Sequence, residues 1–471
     1  MGTPVPQSTA PQAAVAPTAP SAPAGQWAPA VPERPPVRPG LRDRLAASAG
    51  TAPGRLRLVA TGLTVLVLGL GALTAWQVND RTAAADQVVT HSQPLSQNAA
   101  EIYRSLADAD TTAAAGFLLA GNEPADVRKR YQDDLDNATS LLSQAAERSD
   151  GSPAAQRLIR ELNQEVPVYA GLVETARADD RQGLPLGAAY LRWASANMQG
   201  DAAQGVQPKD AILPKAQQLY QVELDRLNRD YADARSTPWA AYALGVVVLL
   251  ALLWFQLVLF RRTNRVFNPG LLGATGAVLV LLAWTAGASL AADSSLQQSI
   301  DRGTAPLLAL DTARTDTLQA RTAENLNLVA RGSTTAYADQ WTKASKGDDG
   351  ALSRAAQLAP GGAKAKLADA RTQFTDWTTK HNAADDKNNS GDYQGALNQT
   401  VGSDPKSDAG SFQALDKSLA DAVTVEQAEF TSAATDGRDA TATVAIAAGV
   451  LALLAAAGVL TGIGRRLAEY R

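Results

Sequence analysis

Cysteine is absent from these 471 residues, and histidine occurs only as His91 and His381. The first absence excludes disulfides, a cysteine nucleophile, a thiolate zinc site and a lipobox anchor. The second leaves too little for a histidine metal centre. Aromatic residues make up only 5% of the chain and alanine is abundant, which favours helices over sheets. No glycine-rich phosphate loop, H-E-x-x-H, G-x-S-x-G, kinase or cyclase signature is present. The expectation is a chain that is not an enzyme, with no catalytic residue, no cofactor and no metal.

Charge is missing from four long apolar runs. Trp239 to Phe260 and Leu271 to Ala292 are 22 residues each and carry none. As a helix, each would run about 33 Å, enough for a hydrocarbon core of about 30 Å. Leu58 to Asn79 and Ala440 to Gly464 are of the same kind. Two such runs in tandem are too apolar to be core helices of one soluble globule. Leu58 to Asn79 begins late for a signal peptide and no A-x-A site follows it closely, so it reads as an uncleaved anchor. The lack of charge in all four runs argues against an ion or proton pathway. Gln256 is the polar residue to notice there, and it is expected to hydrogen-bond between helices.

The charge that is present is sorted by sign. Residues 1–57 carry +4, loop 261–270 carries +3 and the tail 464–471 carries +2, whereas 77–237 carries −7 and 293–439 carries −6. Basic pieces belong inside the cell. Arg55, Arg57, Arg261, Arg262, Arg265, Arg465 and Arg466 therefore set a topology with both termini cytoplasmic in the cell membrane. The acidic segments would repel phosphate, so nucleic acid is not an expected partner.

The predicted plan is a Pro/Ala-rich disordered cytoplasmic tail over 1–57, the first span at 58–79, and an extracytoplasmic helical bundle over 80–237. The second span (238–260), a basic cytoplasmic loop (261–270) and the third span (271–292) follow. A second bundle (293–439), the fourth span (440–464) and a tail (465–471) complete it. The fold class is an all-α membrane protein with four transmembrane helices and two tandem extracytoplasmic four-helix bundles. Gly, Pro and Asp clusters near 121–124, 150–153, 183–185, 332–333, 359–362 and 388–391 punctuate the helices. Ile102, Leu106, Ala109, Ala113 and Phe117 make one apolar stripe, and Leu213, Tyr220, Leu224, Leu227 and Tyr231 another, as a bundle core requires. The acidic pairs Asp133-Asp134, Asp179-Asp180, Asp348-Asp349 and Asp385-Asp386 read as solvated surface, and His381 as a surface imidazole.

The outer segments read as an internal duplication. Ala109 to Gly121 matches Ala320 to Gly332 without a gap, and Pro94-Leu95 corresponds to Pro306-Leu307. Each half would then be span, bundle, span, in the same orientation. With so little protein inside, such a chain would pass a conformational change to a partner rather than catalyse anything in the cytosol.

The span–bundle–span unit resembles the sensor half of methyl-accepting chemoreceptors, although Arg465 to Arg471 stands where a HAMP linker would begin. The whole chain is similar to the GlnX type of four-pass membrane protein of high-GC Gram-positive bacteria. The features that carry this are the Pro-rich tail, four crossings, two acidic outer segments, ADTTAAAGFLLAG and the ending RRLAEYR. That resemblance implies coupling of an extracytoplasmic glutamate/aspartate-binding lipoprotein to a cytosolic serine/threonine kinase. In an up-down bundle the turns at Asn122, Glu123, Pro124, Gly332 and Ser333 point away from the membrane and are the expected docking surface. A direct small-molecule sensor is the alternative, with Arg104, Arg314, Arg321 or Arg331 holding a carboxylate. A scaffold of the cell envelope is the third. The sequence leaves the oligomeric state open.

Overall fold

Two long rods set the frame. In the first, α1 (Ala52–Gln87) passes through a five-residue π-helical turn (Val88–Ser92) into α2 (Gln93–Leu118) without a break. In the second, α8 (Pro269–Ser299) passes through another five-residue π turn (Ile300–Thr304) into α9 (Ala305–Ala330). Between the rods lie α3 (Ala125–Arg148), α4 (Pro153–Arg181), α5 (Gly187–Gln199), α6 (Ile212–Ala234) and α7 (Trp239–Thr263). After the second rod come α10 (Ala336–Leu358), α11 (Gly361–Asn389), α12 (Tyr393–Val401), α13 (Asp408–Ala442) and α14 (Val444–Ala468). The structure is a computed structural model and describes residues 52–119, 123–149, 151–263, 268–359, 361–402, 404 and 406–468. The expected tail therefore lies outside the described residues as far as residue 51. So do Asn122, Arg265 and the side chains of Arg262 and Arg466. Among the described residues there is no strand, so the all-α class holds.

The helices stop where local chemistry stops them. Pro153 opens α4 behind Ser152, whose hydroxyl accepts from the Ala155 amide at 3.3 Å, the usual N-cap arrangement. Gly183 follows α4 at φ +67 and Gly391 follows α11 at φ +89, backbone that only glycine adopts without penalty. The fourth helix of each predicted bundle is broken in two. The break before α6 falls near the expected Pro208. The break between α12, which ends at Val401, and α13, which starts at Asp408, is one the sequence reading runs through.

Among the described residues, four helices carry a stretch long and apolar enough to cross a membrane. Their surface agrees with lipid contact. Every large hydrophobic residue that is exposed among the described residues lies in those stretches, except Val168, Leu184, Leu186, Trp193, Leu308 and Leu358. So large an apolar surface is costly in water and neutral in lipid. On their inner faces Leu63, Val67, Leu70, Val248, Leu252, Leu271, Val278, Ala455 and Val459 form one cluster. Small residues let backbones meet there: a Cβ on Gly458 would lie 2.7 Å from the Gly270 carbonyl oxygen. Gln256 donates to the Thr275 hydroxyl at 2.8 Å and to the Leu271 carbonyl at 3.2 Å, the interhelical bond expected of it. Asn268 caps α8 and donates to the Gly462 carbonyl at 2.8 Å.

Beyond the spans, the two apolar stripes turn inward. Ile102, Leu106, Ala109 and Ala113 are buried on α2, and Leu213, Tyr220, Leu224, Leu227 and Tyr231 on α6. The two rods meet each other. Thr111 and Thr322, paired by the ungapped repeat, touch hydroxyl to hydroxyl at 2.7 Å, 211 positions apart. Equivalent residues in contact are what a two-fold relation between the halves produces. Asn325 adds a bond to the Thr111 carbonyl at 3.3 Å. The π turns start at Val88 and Ile300 and pack with Leu224, Leu227, Tyr231, Leu296 and Phe430 in a small separate core.

Candidate functional site: a cleft between the halves

Above that small core the rods part. A cleft of about 1000 Å³ opens between α2, α6, α9 and α13, two helices from each half. Leu224, Leu227, Leu307 and Phe430 line its apolar end, next to the π turns. Its other walls are polar: Glu101, Tyr103 and Arg104 on α2, Tyr220 on α6, Asp311, Arg314 and Gln319 on α9, and Asp416 on α13.

The charges there are partly paired. Arg104 Nε donates to Glu101 at 2.7 Å, one helical turn away, and Asn137 donates to the same carboxylate at 3.3 Å. Arg314 reaches Asp416 with one amino group at 3.2 Å, while its Nε, although buried, has no acceptor among the described residues. Asp311 accepts from the Tyr220 hydroxyl at 3.3 Å. Burial pushes its carboxyl up to about 6 against the pull of Arg314 and Tyr220. Gln319 donates to the Tyr103 hydroxyl at 2.8 Å, tying α9 to α2 across the cleft.

Of the four candidate arginines, Arg104 and Arg314 are thus brought together on one cleft. The other two are placed elsewhere. Arg321 is buried on α9 and bonds Glu324, Asp408 and the Thr400 carbonyl, the last at 2.8 Å. Its charge is met from within the chain, so it offers nothing to a ligand. Arg331 is exposed at the end of α9, in left-handed backbone at φ 48, with its guanidinium 4.7 Å from the centre of the Tyr393 ring.

The turn residues also divide. Pro124, Gly332 and Ser333 are exposed. Glu123 instead folds inward, accepting from Arg177 at 2.7 Å and from Arg128 at 3.0 Å, while Arg177 covers the Tyr131 ring at 4.2 Å. Glu123 is a latch between α3 and α4 more than an open docking group. Of the topology-setting residues, Arg55, Arg57, Arg261 and Arg465 are exposed.

Two surface readings are corrected. His381 is buried, stacks on Trp341 with ring centres 3.6 Å apart, and shares a 2.6 Å hydrogen bond with Glu324. Asp348 is buried against the Thr317 hydroxyl at 2.8 Å. Both residues sit on helix faces whose neighbours look polar in the sequence. The signal that could have found them is the i, i+4 step to a buried apolar residue: Trp377 for His381, and Leu352 and Ala344 for Asp348. Asp311 was missed for a different reason. Nothing in a sequence separates one acidic residue among many that will face a cleft.

The first outer segment can be compared with known families. Residues 84–232 match the family model of the actinobacterial sensor domain. That span reaches from the end of α1 to the end of α6. No curated protein and no solved structure matched the chain. The sensor-domain match fits a sensor of a high-GC Gram-positive bacterium and points to a sensing or signalling role. With the all-helical fold, it suggests a sensor that is not an enzyme. The walls of the cleft on α2 and α6 lie within the matched residues, and those on α9 and α13 in the second half.

Proposed function

We propose that this chain is a transmembrane signal transducer, with its bundles outside the cell and both termini in the cytoplasm. The observation that carries the reading is the pair of continuous rods. Each runs from an apolar span into the sensing layer as one helical piece about 100 Å long, and the rods touch at Thr111 and Thr322. A stiff helix moves as a unit, so a change in how the rods pack outside displaces their membrane ends. In the finer reading, supported by the GlnX-like features of the sequence, the stimulus is the state of a solute-binding lipoprotein for glutamate or aspartate. The recipient is a cytosolic serine/threonine kinase. The lipoprotein docks on the exposed turns at Pro124, Gly332 and Ser333, with Asn122 beside them in sequence. Changing Gly332 and Ser333 together abolishes its binding without loss of expression; unaltered binding removes that surface.

The orientation is testable because the chain has no cysteine of its own. Lys209→Cys and Lys343→Cys, both at exposed positions, react with a membrane-impermeant thiol reagent on intact cells, and Arg261→Cys does not. The opposite pattern sinks the proposal. A second reading, direct sensing of a small molecule, is favoured by the cleft: it joins both halves, and ligand there acts on both rods at once.

A further inference from the structure

We propose that the cleft between the halves binds a small zwitterion, a free amino acid or short peptide, with its carboxylate on Arg314 and its ammonium on Asp311. This rests on the direct-sensing reading and gives it a ligand class. Arg314 is buried and keeps one donor, Nε, without an acceptor. A buried charged donor left unmet is a standing cost that an anionic oxygen removes. Asp311 lies one turn earlier on the same helix, and positions three apart share a face. Among the described residues its one hydrogen bond is the 3.3 Å contact from Tyr220, and it has no ion pair there.

The charge inventory of the walls selects the ligand. Arg104 is matched by Glu101 and Arg314 by Asp416, which leaves Asp311 in excess. A plain anion would satisfy Arg314 but enter a cleft already negative by one charge. A plain cation would satisfy Asp311 but leave the Arg314 donor unmet. A molecule with both charges answers both groups. The cleft, at about 1000 Å³, holds a free amino acid with water or a short peptide alone. Glu101 and Arg104 from α2, Tyr220 from α6 and Arg314 on its own helix act on Asp311, and Tyr103 and Asp416 line the same cleft. With the Asp311 carboxyl raised to about 6 by burial, ammonium binding weakens as pH falls through that value.

The test is calorimetry on the full chain in lipid nanodiscs, titrated separately with glutamate, alanine, alanylalanine, succinate and putrescine. The expected result is binding by at least one of the three zwitterions, and none by succinate or putrescine. Asp311→Asn and Arg314→Gln each weaken that binding about tenfold or more, with helicity and unfolding midpoint checked by circular dichroism. Alanylalanine binding alone assigns the peptide class; alanine or glutamate binding assigns free amino acids. Binding by succinate or putrescine as strong as by the zwitterions overturns the proposal, as does no binding by any probe. Those failures leave the transducer reading intact, because a docked protein can still move the rods. Conversely, a filled cleft with spans that move under neither the ligand nor a docked protein would keep this inference and sink the transducer.

Discussion

The two halves share a scaffold but differ in what they bury at matching positions. Asp110 and Arg321 occupy the same place in the repeat, next to the Thr111–Thr322 contact. Asp110 is met by neutral donors: Tyr169 at 3.2 Å, Ser195 at 2.9 Å and Gln199 at 2.8 Å. Arg321 is met by the carboxylates of Glu324 and Asp408, with His381 on Glu324 and the Phe412 ring 5.3 Å away. Burial pushes the Asp110 carboxyl up to about 6 despite its three hydrogen bonds. In the second half, burial also works against Glu324, yet Arg321 and His381 hold it down to about 2, while burial and the Glu324 charge push Asp408 well up. One position thus hosts a single acid met by neutral donors in the first half and a cation met by two acids in the second. A duplicated helix keeps its packing contact while the polar group one residue away is free to change, provided its new neighbours satisfy it.

The largest effect should come from the ion cluster. Arg321→Met leaves two buried carboxylates without their cation and costs about 3–5 kcal/mol, read by denaturant unfolding. A loss under about 1 kcal/mol would mean that the cluster is not buried as described.

The first half is probed by pH. The folded carboxyl of Asp110, near 6, stands above the ordinary value of about 3.9. Its contribution to stability is full below that ordinary value and is lost as pH rises through about 6, an effect of about 3 kcal/mol. Asp110→Asn removes this slope. For Glu324 the sign reverses: held near 2, it stabilises above about 4.3 and loses that stability as pH falls. Glu324→Gln removes the acid-side loss and leaves the slope from Asp110 in place. Identical pH profiles for the two variants would erase the contrast between the halves.

The turns extend the comparison with smaller effects. Glu123→Ala opens the latch of the first half but leaves Arg177 its second partner, Glu174 at 2.7 Å, so about 1–2 kcal/mol is expected. At the equivalent turn, Arg331→Gly removes the strain of left-handed backbone and also the contact with Tyr393. The two nearly cancel, within about 1 kcal/mol. A larger change at Arg331 than at Glu123 inverts the ranking.

Much of the fold was legible. Charge-free runs marked the four membrane-length helices, and Gly and Pro clusters marked most helix ends, because each acts locally on the backbone. The ungapped alignment of Ala109–Gly121 with Ala320–Gly332 was legible, but the contact it places between Thr111 and Thr322 was not. The site was legible only in part. Arg104 and Arg314 were named among four arginines, but nothing local distinguishes them from Arg321, whose partners Glu324, Asp408 and Thr400 come from three different helices. Asp311, His381 and the inward fold of Glu123 depend on contacts between helices far apart in sequence. The π turns leave no mark in composition, since one added residue in a helix needs no special side chain.

The central claim is that the rods carry movement from the outer bundles to the membrane. Spin labels at Arg57→Cys and Arg465→Cys, both exposed near the ends of the first and last spans, measure it by pulsed electron resonance on the full chain in nanodiscs. The label distance should shift when a zwitterion fills the cleft or when the docking protein binds. One distance distribution, unchanged under every stimulus, would contradict the account.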